Sequence, residues 1–146
     1  MRNKCVLFMI ALVVISAPMI AQDVPLELQT KLMLKIVSMD RNFDRFGNPI
    51  KIGTSSDEIF KELSTIKGSL KVKGNDFLVE KISSPADIAK FKVAYIGKNW
   101  SGNYTAAAAV AAENQCLMFC EVEEGVTIGG GAVSFKVVEG KPKIVI

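Results

Sequence analysis

The sequence contains no histidine. That absence removes Ser-His-Asp and Cys-His catalysis, histidine-ligated zinc or iron, and the commonest general base near neutral pH. Tryptophan and tyrosine are scarce, at one and two residues. No cluster of Lys and Arg interleaved with aromatics supplies an electrostatic footprint for DNA or RNA, so nucleic acid is not an expected partner. Three cysteines in 146 residues are too few for a disulfide-dense scaffold. No internal repeat or low-complexity linker divides the chain, and beyond its first 20 residues no apolar run is long enough to cross a membrane.

What is present is the balance of an ordinary globular domain, with 49% apolar and 23% charged residues. The first residues have the grammar of an export signal. Arg2 and Lys4 form a short positive region, Cys5 to Ala17 is apolar apart from Ser16, and small residues follow near Ala21. The expected organisation is a signal peptide over residues 1–21, cleaved after Ala21, and one domain over 22–146. Cleavage removes two basic and no acidic residues, so the formal charge falls from +3 to +1. Cys5 leaves with the signal, and Cys116 and Cys120 remain in an oxidising compartment. Two readings of that pair stand: a bridge, if Cys116 belongs to the end of a helix, or two small buried thiols, since residues four apart on a strand are about 13 Å apart.

Leu26 to Met39 places Leu28, Leu32 and Ile36 at fourfold spacing with Met33 and Val37 beside them, which predicts an amphipathic helix. Gly47-Asn48-Pro49 marks a loop, with Phe43 and Phe46 turned back on the core. Ile50 to Thr54 alternates as a short strand. Ser55 and Glu58 have capping-box spacing, Ile59, Phe60, Leu63 and Ile66 share a helical face, and Gly68 is a natural stop. The Leu70 to Lys73 and Phe77 to Ile82 runs predict a hairpin, or a short strand leading into a longer one. Ser84-Pro85-Ala86-Asp87 starts a short helix, Val93 to Ile96 is a compact strand, and the alanine-rich Tyr104 to Glu113 is strongly helix-forming. Leu117 to Val122 reads as a buried parallel strand. Val133, Phe135 and Val137 alternate, Glu139-Gly140 turns, and Lys143 to Ile146 returns. The order predicts an α/β fold: a parallel-centred mixed sheet with helices on both faces, closed by an antiparallel hairpin.

No constellation carries chemistry of its own. Gly129-Gly130-Gly131 lacks the Gly-Lys-Ser/Thr ending of a P-loop and is followed by a strand rather than a helix, which argues for a structural turn over a phosphate cradle. Glu121, Glu123 and Glu124 read as a solvated acidic loop, and no cofactor or metal set is recognisable. Asn99-Trp100-Ser101 and Asn103-Tyr104-Thr105 have the form of glycosylation acceptors. The loop that carries them follows a parallel strand, and sites in open α/β sheets prefer that end. Lys98, Trp100 and Tyr104 are therefore the expected partner or ligand surface.

In this order the segments LQTKLMLKIV, IKIGTSS, DEIFKELSTIKG, LKVKG, FLVEKIS, VAYIG, LMFCEV and GGGAVSFKVVEGKPKIVI resemble the YfiR family of small exported bacterial proteins. The last segment is the most specific, combining a glycine-rich turn at a sheet edge, an apolar strand ending near phenylalanine and a short hairpin. Members often carry a cysteine before the strand matching VAYIG, where this chain has Lys90 and Phe91, so a family disulfide is not carried onto Cys116 or Cys120. Members also usually continue past the return strand into another helix, whereas this sequence stops at Ile146, so either the chain is a short variant or the sequence is cut. The resemblance implies a non-enzymatic periplasmic regulator that restrains a membrane-bound diguanylate cyclase, and with it cyclic di-GMP synthesis and biofilm formation. Related domains occur fused to sensor kinases. A membrane sensor protein is thus the implied partner, a homodimer is the other assembly to test, and a periplasmic small-ligand binding module is the alternative function.

Overall fold

The computed structural model describes residues 23–146; the expected signal, its expected cleavage point and Cys5 lie outside the described residues. A first helix, α1 (Leu26–Met39), leads through a 3-10 turn at Phe43–Phe46 into β1 (Ile50–Thr54). Then come α2 (Asp57–Ile66), β2 (Phe77–Lys81), a 3-10 helix at Pro85–Lys90, β3 (Val93–Ile96) and a second 3-10 segment at Lys98–Asn103. The chain continues through α3 (Tyr104–Glu113), β4 (Leu117–Cys120), the short α4 (Glu124–Thr127), β5 (Val133–Val138) and β6 (Lys141–Val145). The six strands form one sheet in the order β2-β1-β3-β4-β5-β6. All pairs are parallel except β5–β6. The fold is α/β, and no helix among the described residues is long and apolar enough to cross a membrane.

Two cores flank the sheet. On one face α1 and α2 bury Met33, Leu34, Val37, Ile59 and Leu63 against Ile50, Ile52, Tyr95, Phe119 and Phe135. On the other, Ile88, Phe91 and α3 cover Ala94, Ile96, Met118 and Cys120. The β5–β6 hairpin closes on Glu139 (φ 52°) and Gly140 (φ 72°), the two positive φ angles that a tight two-residue hairpin turn requires.

Several local expectations change. The buried line of α1 is Gln29, Thr30, Met33, Leu34 and Val37, with Leu28, Leu32 and Ile36 on its flank. The helix is rotated because Gln29 has a buried partner across the core. The cap of α2 is Ser56, whose Oγ accepts from the Ile59 N–H at 3.3 Å. Ser55, the expected cap, instead donates its N–H to the Tyr95 carbonyl at 3.2 Å, and its hydroxyl accepts from the Gly97 N–H. The Leu70 and Phe77 runs do not pair: only Val72 bridges Asn75, across Lys73 (φ 50°) and Gly74 (φ 87°), and β2 joins β1 in parallel.

The disulfide reading of Cys116 and Cys120 is withdrawn. Both thiols are free and buried, and β4 runs between them, which separates them by about twice the Cα distance that a disulfide spans. The triple glycine also shifts in meaning. It shapes no sheet edge, because the strand it leads into, β5, lies between β4 and β6. Only Gly130 has a positive φ, 82°. Gly129 and Gly131 are close approaches: a Cβ on Gly129 would lie 2.3 Å from Tyr104 Cβ, and one on Gly131 2.6 Å from Cys120 Sγ.

Candidate functional site

In a sheet ordered this way the winding reverses between β1 and β3. The loops leaving those two strands diverge at their carboxyl ends, which is the usual ligand crevice of open α/β sheets. Ser55, Ser56, Gly97, Lys98 and Asn99 stand there by virtue of following Thr54 and Ile96.

The chain fills this crevice with its own groups. The Gly97 N–H donates to Ser55 Oγ at 2.9 Å, and Asn99 Nδ2 donates to the Ser55 carbonyl at 3.0 Å. A Cβ on Gly97 would meet Asn99 Oδ1 at 2.6 Å, so only glycine lets the Asn99 side chain fold back in this way. Beneath them Tyr95 OH donates to Gln29 Oε1 at 2.5 Å, and Gln29 Nε2 donates to the Val24 carbonyl at 2.9 Å. Both side chains are fully buried, so the chain of bonds ties the segment before α1 to the middle of the sheet. Asp57 and Glu58 occupy the first turn of α2, which turns its N-terminus away from anions.

Beside this plug the surface opens. A cavity of 240 Å³ lies between Asp23, Val24, Gln29, Lys98 and Glu121. A neighbouring one of 350 Å³ continues past Asp23 and Glu121 to Glu124, Phe135 and Lys136. The Lys98 N–H donates to Glu121 Oε2 at 2.8 Å, and Lys136 pairs with Glu123 at 2.8 Å. The acidic residues Glu121, Glu123 and Glu124 thus line a rim with two lysines set into it. No group of three acidic or thiol side chains among the described residues is placed to hold a metal ion.

The expected surface residues separate. Lys98 is exposed and lines the smaller cavity. Trp100 is half-buried and packs on the α3 core. Tyr104 is 4% exposed and presents nothing to a ligand: Gly129 lies on its Cβ, its hydroxyl donates to the Gly97 carbonyl at 3.4 Å, and burial pushes the phenol up to about 12. It is corrected to a core residue. The residues that build the crevice, Gln29, Tyr95, Ser55 and Glu121, carry no motif. A polar Gln within an apolar helical face was the one available signal. Burial also raises the Cys116 and Cys120 thiols to about 12 each, far from the range of an activated thiolate. Tyr95 is raised further still, by burial first and then by Glu121. The arrangement offers shape, hydrogen bonds and charge rather than a nucleophile with its base.

No family model, curated protein or solved structure matches the chain.

Proposed function

We propose that the protein is an exported, non-enzymatic regulator of the YfiR type. It works in the periplasm by binding the outer part of a membrane sensor protein, a diguanylate cyclase or a sensor kinase, and holding its output down. The observation that carries this reading is the closed switch-point crevice: where an α/β enzyme of this topology would bind its substrate, Ser55 accepts from Gly97 and Asn99, and beneath them Tyr95 is bonded to Gln29. The resemblance of its order of sequence segments to that family supports the proposal. Crosslinking in intact cells followed by affinity capture from envelope extracts is the test. The expected result is one membrane protein with a cytoplasmic cyclase or kinase domain, and recovery of none with efficient crosslinking overturns the proposal.

A second reading is favoured by the 240 Å³ cavity beside Lys98 and Glu121, which is close to the lower size of small-ligand sites. In that reading the protein is a periplasmic binding module for a small polar ligand. A ligand bound only by the folded state raises the melting temperature, so a library screen with no shift removes it.

A further inference from the structure

At the opposite end of α1 the molecule carries a groove of another character. Lys31 and Lys35 stand one helical turn apart, with Leu34 between them. Across from them the segment LKVK, residues 70–73, borders a space of 290 Å³. Its floor is apolar, formed by Leu34 and Val72, which are 4% and 3% exposed. Leu70 stands on the lip with 38% of its surface in solvent. Lys31, Lys35, Lys71 and Lys73 surround this floor, and no acidic side chain lines it.

The four ammonium groups are weakly committed. Lys31 pairs with Glu27 and Lys71 with Asp76, each at 2.6 Å, but all four partners are more than half exposed, where such pairs contribute little. Lys73 Nζ lies 5.1 Å from the Phe43 ring centroid. Among the described residues Lys35 has no ion-pair partner. An apolar floor ringed by cations is complementary to one kind of molecule, an alkyl chain ending in an anion. Desolvating the chain drives entry, and the lysines choose the sign of the head. The volume is at the small end of ligand sites, which fits a single chain better than a two-chain phospholipid.

We infer that this groove binds a single-chain anionic amphiphile of medium length, such as a fatty-acid carboxylate. The inference is independent of the regulatory reading, because the groove shares no residue with the crevice or its cavities.

The probe is sodium decanoate below its micelle concentration, titrated into the protein by calorimetry with decyltrimethylammonium in parallel. Decanoate is expected to bind at one site and the cationic chain at least about tenfold more weakly. The double variant Lys35→Glu/Lys73→Glu should lose about tenfold in affinity for decanoate, while Lys141→Glu on the distant hairpin should lose none. Both variants change exposed side chains, and an unchanged circular dichroism melt confirms that they fold. Added salt should weaken decanoate binding, as screening of exposed charges requires. Equal binding of the two head groups, or full affinity in the double variant, overturns the inference. Binding confined to anionic vesicles or to an acidic peptide, with none to decanoate, also overturns it and assigns the groove to a macromolecule.

Discussion

The two faces of the sheet are packed by opposite means. Under α1 and α2 the core is made of bulk: Met33, Ile59, Leu63, Phe77 and the stacked rings of Phe119 and Phe135, 6.2 Å apart and 13° from parallel. Under α3 the core mixes Ile88, Ile96, Met118 and Tyr104 with small residues, Ala94, Ala107, Ala111 and Cys120, and glycines stand where the backbone presses in. The first kind of core is sensitive to removal of volume and the second to its addition. A substitution that is harmful on one face should therefore have a mild counterpart on the other.

The largest effect is expected from Phe119→Ala. Phe119 is fully buried and stacked, and the cavity it leaves cannot collapse against neighbouring strands, so urea unfolding should show a loss of about 3–5 kcal/mol. Next is Gly129→Ala, a gain of one methyl. Its Cβ would lie 2.3 Å from Tyr104 Cβ and 2.8 Å from the Gly125 carbonyl oxygen. Since Tyr104 Cβ is fixed to the α3 backbone and cannot rotate aside, α3 and the α4–β5 connection must separate, at about 1–3 kcal/mol. A neutral Gly129→Ala in the same assay would show that the second face is loosely packed and dissolve the contrast.

The contrast was only half legible in the sequence. Periodicity placed the elements well: Leu26–Met39, Ile50–Thr54, Val93–Ile96 and Tyr104–Glu113 are where the apolar spacing and alanine content put them. Alternation of strands and helices also pointed to the parallel-centred sheet and its closing antiparallel hairpin, though not to the order of the strands. What it could not place were features that depend on a partner far along the chain. The face of α1 turns on Tyr95, 66 residues away from Gln29. The cap of α2 moves to Ser56 because Ser55 is claimed by Gly97. Tyr104 looked like a surface aromatic, and its burial follows from the room left by Gly129. Local patterns carry local structure; the crevice is made of contacts between segments that share no local pattern.

A smaller effect tests the polar exception in the bulky face. Tyr95→Phe keeps the ring and removes the hydroxyl, leaving Gln29 Oε1 buried without its donor. A loss of about 1–2 kcal/mol is expected, with faster hydrogen exchange at the start of α1, which that bond tethers through Val24. Exchange unchanged at the start of α1 would mean that the tether does not depend on Tyr95.

The smallest effect, and the one of opposite sign, is at Ser134. It lies in β5 in register with Cys120, on the small-residue face, and is fully buried. Its Oγ has no hydrogen-bond partner among the described residues. A buried hydroxyl in that state has lost its hydration without replacement, while its volume is close to that of a methyl, so this face should accept Ser134→Ala without rearrangement. Stability should stay level or rise by about 0.5–1 kcal/mol. A loss beyond about 1 kcal/mol in urea unfolding would mean that the hydroxyl is held by a buried water. The small-residue face would then owe part of its cohesion to solvent rather than to close contact.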